Sequence, residues 1–68
     1  MARELNFAVV IRATETTIGD LRGRARMATA HDNKSWSWEW RGMLAEFRFE
    51  TEDQAAIFRV LNRLTPRE

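Results

Sequence analysis

The 68-residue chain has no cysteine and no tyrosine, one histidine, one proline and three glycines. Without cysteine there is no disulfide, no thiolate nucleophile and no cysteine-bound zinc, so a domain this small must be held by its apolar core alone. The sole histidine, His31, sits beside Asp32 in a polar segment, and no glycine-rich phosphate loop is present. General acid–base, metal and nucleotide chemistry each need a constellation of groups that these residues do not supply. The chain is therefore expected not to be an enzyme and to carry no cofactor and no metal. Long apolar runs are also missing. The longest, "FAVVI" from Phe7 to Ile11, is far short of the roughly 20 residues that cross a bilayer, and no small-residue cleavage site follows it. A cytoplasmic protein without a membrane partner is expected. Excess charge of one sign is absent too: 11 basic against 10 acidic side chains leave a net charge of +1. Any site for a polyanion must then be a local patch rather than a property of the whole surface.

What is present is periodicity. Leu5, Phe7, Val9 and Ile11 alternate with less apolar neighbours, the period of a strand with one buried face. Ile18, Leu21, Ala25 and Ala28 recur at the spacing of a helix, after a "TETT" run whose hydroxyls suit a helix cap. That places "LRGRARM" on a helix, although Gly19 and Gly23 each cost about 1 kcal/mol there relative to alanine. The turn formers Asp32 and Asn33 end it.

The segment "SWSWEWRGMLAEFRFE" then alternates twice. Trp36, Trp38 and Trp40 point one way, and Met43, Ala45, Phe47 and Phe49 share that face in a second strand. A two-residue turn at Arg41 and Gly42 predicts Trp40 opposite Met43, Trp38 opposite Ala45 and Trp36 opposite Phe47. Thr51 and Gln54 form a capping box, with Glu52 and Asp53 favourable at a helix N-terminus. Ile57, Val60, Leu61 and Leu64 make an apolar stripe with Phe58 on its flank, and Pro66 stops the helix.

The order β-α-β-β-α predicts one α+β domain over residues 1–68. It would be a two-layer sandwich, a three-stranded sheet with both helices on one face, truncated ferredoxin-like in element order alone. The tryptophans then belong to the core under the helices, with at least one indole reaching the rim to pair its N–H.

Two surfaces are candidates. The open sheet face, carrying Ser37, Glu39, Arg41, Leu44, Glu46 and Arg48, mixes charges around an apolar spot of Val10 and Leu44. Such a face suits another protein. The edge of the first strand adds a place for a partner strand or for a second copy in a homodimer. Small chains without catalytic parts include phage- and plasmid-type inhibitors that act by occupying a host protein, and that is the expected kind of function. The alternative is nucleic-acid binding by Arg22, Arg24, Arg26, Lys34 and Arg41, mostly through phosphates.

Overall fold

Three alternating segments become three strands. The computed structural model describes residues 4–64. It contains β1 (Phe7–Arg12), α1 (Ile18–Ala28), β2 (Trp36–Arg41), β3 (Leu44–Phe49) and α2 (Glu52–Leu64). The sheet order is β1-β3-β2, and both outer strands run antiparallel to β3. The two outer strands are therefore parallel to each other, which is why an α-helix rather than a tight turn joins them. Both helices lie on one face, as expected. Pro66 and the side chain of Leu64 lie outside the described residues.

Alternate rungs of the sheet each carry three core-facing side chains: Phe7–Phe49–Trp36, Val9–Phe47–Trp38 and Ile11–Ala45–Trp40. The pairing between β2 and β3 differs from the expected one. Arg41 pairs with Leu44, so the turn residues are Gly42 and Met43, and Trp38 faces Phe47 rather than Ala45. Gly42 has φ of +62°. A glycine with positive φ at the first turn position fits the II′ geometry, whose twist matches the strands. The partner of each tryptophan thus shifts by two residues. Because strand side chains alternate with a period of two, the apolar face is unchanged.

The aromatic rings settle the core. Phe47 stacks with Trp36 and Trp38 at centroid distances of 6.2 and 6.1 Å, and Phe58 of α2 tilts onto Phe47 and Phe49 at 4.9 and 5.1 Å. Phe47, Phe49 and Phe58 are wholly buried. The stripe of α2 is therefore turned from its expected position. Ala55, Phe58 and Leu61 face inward, while Ile57 and Val60 are 47% and 50% exposed. Periodicity located the helix, but the bulkiest ring took the centre because it removes the most apolar area from water.

Trp36 and Trp38 are half-buried against this cluster, and Trp40 reaches the rim, 42% exposed. The Trp36 Nε1 is nonetheless buried with no hydrogen-bond partner among the described residues. α1 contributes the small inward face Leu21, Ala25 and Ala28 and lies chiefly against α2.

Capping divides the two helices. In α2 the box is complete: the Gln54 amide donates to Thr51 Oγ1, and the Thr51 amide donates to Gln54 Oε1, both at 3.1 Å. In α1 the threonines bond one another instead. The Thr14 amide donates to Thr17 Oγ1 at 2.8 Å, and Thr17 makes no side-chain cap. α1 ends through Ala30 and His31, both at positive φ (54° and 65°), with the His31 amide donating to the Arg26 carbonyl at 2.7 Å. That left-handed exit, in residues other than glycine, turns the chain toward β2. Ser35, buried at the start of β2, donates its hydroxyl to Asp32 Oδ2 at 2.7 Å, and its carbonyl receives the Glu50 amide at 2.9 Å.

Two stability outcomes follow from this packing. Phe58→Ala should lose about 3–5 kcal/mol in urea unfolding, whereas Ile57→Ala should cost under about 1 kcal/mol. A Cβ built at Gly19 or Gly23 meets nothing within 4 Å, and neither glycine has positive φ. Gly19→Ala and Gly23→Ala should each therefore raise stability by about 0.5–1 kcal/mol, read as a higher thermal midpoint.

Candidate functional site

With both helices on one face, the other face of the sheet is uncovered among the described residues. Its rungs are Arg12–Leu44–Arg41, Val10–Glu46–Glu39 and Ala8–Arg48–Ser37. The structure thus brings all six residues expected there, Ser37, Glu39, Arg41, Leu44, Glu46 and Arg48, onto two neighbouring strands. Val10 and Leu44 lie on adjacent rungs, 51% and 38% exposed. Met43 in the hairpin turn is 84% exposed.

Glu46 is the centre of this face. It lies on the middle strand and is only 4% exposed, although no helix covers it. Its neighbours do the covering. Arg48 Nε donates to Glu46 Oε2 at 3.2 Å, and Arg48 Nη2 is also 3.2 Å from that oxygen. Arg41 Nε lies 3.2 Å from Oε1 but is not aligned to donate, so this second oxygen is held by charge alone. A carboxylate between two guanidiniums keeps both arginines in place over the sheet. The remaining acid is Glu39, directly opposite Glu46 across the strand pair. Like charges in that position destabilise a sheet, and Glu39 has no ion-pair partner among the described residues.

The arginines of the alternative site are distributed differently. Arg22 lies over the Trp38 ring, with its guanidinium carbon 5.7 Å from the centroid. Arg24 donates to Asn62 Oδ1 of α2 at 2.9 Å, on the opposite flank of α1. Arg26 and Lys34 are exposed, and Arg41 is engaged on the outer sheet face. The five therefore occupy several surfaces rather than one patch. His31 is exposed, and the Asp32 carboxylate receives the Lys34 amide and the Ser35 hydroxyl, which organises the turn. Among the described residues no group of three or more His, Asp or Glu side chains is arranged to hold a metal ion.

A second basic site was not anticipated. An open cleft of about 1020 Å³ is bordered by Val9 to Ala13 of β1 and its exit, and by Arg24, Arg59 and Arg63 from the helices. Arg12, at the end of β1, lines it as well, and among the described residues Asp20 is the only acid lining it. One signal was present in the sequence: Arg59 and Arg63 are four residues apart and so share one flank of α2. Their convergence with Arg12 and Arg24 depends on the packing of three elements.

No family model, curated protein or solved structure matches this chain, so its function is argued from geometry.

The Arg41–Glu46–Arg48 arrangement makes a direct prediction. Arg41→Ala with Arg48→Ala should cost about 1–3 kcal/mol in urea unfolding, because it leaves a carboxylate without compensating charge. Adding Glu46→Leu should restore most of that loss; a further drop would show that the carboxylate is not held in this way.

Proposed function

We propose that the chain is a small, non-enzymatic protein-binding module that works by occupying a partner through its uncovered sheet face. The observation that carries this reading is the ordered charge cluster around Glu46 on a face that no helix covers. An interface gains affinity when its long side chains are already fixed, because less rotamer freedom is lost on docking. Arg41 and Arg48 are fixed here by Glu46. Val10 and Leu44 supply the apolar contact beside them, and the charged surround gives orientation.

Glu39 adds the sign of what should meet it. Its carboxylate faces that of Glu46, and a lysine or arginine from a partner placed over Glu39 would relieve the repulsion. Occupation of a host protein, as by a phage- or plasmid-type inhibitor, is one biological form of this activity. The nucleic-acid alternative would draw on Arg22, Arg26 and Lys34, which the charge cluster leaves unengaged.

Photo-crosslinking tests the proposal. A benzoylphenylalanine at Leu44, in the full chain expressed in its source cells, should give one discrete protein adduct, and the same residue at Ile57 of α2 should not. Glu39→Arg should remove the Leu44 adduct while leaving the thermal midpoint within a few degrees. Equal adducts from both positions, or a nucleic-acid adduct at Leu44, would overturn the assignment.

A further inference from the structure

The free edge of β1 has an unusual setting. β1 pairs with β3 through six consecutive residues without a bulge, and among the described residues its other side has no strand. Proteins usually protect such an edge with proline, a bulge, inward charges or a covering element. The strand "FAVVIR" has only Arg12, at its end. Along this edge lies the basic cleft. Five consecutive residues, Val9 to Ala13, border it. Consecutive strand residues point to opposite faces, so a cleft that touches all of them must follow the edge of the strand rather than either face.

We propose that this edge receives an extended acidic segment of a partner protein as a fourth strand. The proposal rests on the protein-binding reading but assigns it a second surface and a partner chemistry. Main-chain hydrogen bonds to β1 would give the segment its register, and side-chain alternation would give it specificity. Every second side chain of an added strand would point to the helix side, where Arg59 and Arg63 border the cleft. Arg12, Arg59 and Arg63 have no ion-pair partner among the described residues, and Asp20 is the only carboxylate there. Acidic side chains answer that surplus. The intervening side chains would lie on the outer sheet face beside Val10, which is 51% exposed and apolar. The fitting segment therefore alternates acidic with apolar residues.

Charge separates this occupant from the other two. A second copy paired through β1 would bring two sets of the same arginines together, and Phe7–Arg12 has no acidic residue to meet them. A nucleic acid would satisfy the guanidiniums but leave the strand's main-chain groups unpaired. The cleft also has no aromatic ring on which bases could stack.

The test uses the full chain and a fluorescein-labelled peptide alternating glutamate with valine. Anisotropy should show saturable binding, and amide exchange measured by NMR should slow within residues 7–12 when peptide is added. A peptide with lysine in place of glutamate should not bind. Arg59→Glu with Arg63→Glu should weaken binding by about tenfold or more, and Asp20→Asn should tighten it, a gain that misfolding cannot produce. Ile57→Ala, on the exposed side of α2, should leave peptide affinity unchanged. Loss of binding in Arg48→Glu, on the outer face, with none in the Arg59 and Arg63 variant would overturn the edge site while preserving the protein-binding reading. Tighter binding of a labelled single-stranded oligonucleotide than of the peptide would overturn both. Protection of the same amides by raising protein concentration without peptide would overturn the proposal in favour of a second copy, and no peptide binding would overturn it outright.

Discussion

The contact on which the rest of the structure depends is one phenylalanine ring laid across two others. Phe58 of α2 meets Phe47 and Phe49 of the central strand, and Phe47 in turn carries the indoles of Trp36 and Trp38. Five elements of a small chain cannot each bury a large apolar area, so the available area is concentrated where one residue touches the most neighbours. α1 then adds the buried Leu21, Ala25 and Ala28, with Ile18 partly buried beside the core. With both helices on the other side, nothing among the described residues covers the second face of the sheet or the edge of β1.

That commitment explains why the two proposed surfaces differ in character. The outer face lies over the middle of a sheet, where side chains from three strands are close enough to order one another. Glu46 is buried there by its own neighbours. The edge lies where strand, helix and turn diverge, and among the described residues its several guanidiniums share a single carboxylate, Asp20. One surface is organised before any partner arrives; the other has unspent hydrogen-bonding capacity and unspent charge.

Much of the fold was legible because periodicity survives packing. The alternation in "FAVVIR" and "SWSWEW" identified which side chains share a face, and the Thr51–Gln54 box located the start of α2 to the residue. Pairing was harder. A glycine such as Gly42 suits positive φ at either position of a two-residue turn, and the choice between them moves every cross-strand partner. The α2 stripe was misplaced for a related reason: hydrophobicity at helical spacing does not say which apolar residue is central, and ring size decided it for Phe58. The outer-face residues were recoverable because they follow from strand parity alone. The basic cleft was not, since Arg12, Arg24, Arg59 and Arg63 come from three elements whose approach depends on tertiary packing. "LRGRARM" attracted notice for its local density of arginine, yet Arg22 and Arg24 leave α1 in opposite directions, one toward Trp38 and one toward Asn62.

The wholly buried rings and the indoles stacked on them all come from one continuous stretch, Trp36 to Phe58. Closing short loops costs less entropy than closing long ones, so the β2–β3 hairpin and α2 are placed to find one another locally. β1 has the reverse situation. Among the described residues its one partner strand is β3, which lies beyond α1 and the hairpin turn in sequence. During synthesis the apolar run Phe7–Ile11 therefore leaves the ribosome first and must wait until Leu44–Phe49 has followed. Of the two edge strands, the one bordered by the basic cleft is also the one that spends the longer time with neither edge paired.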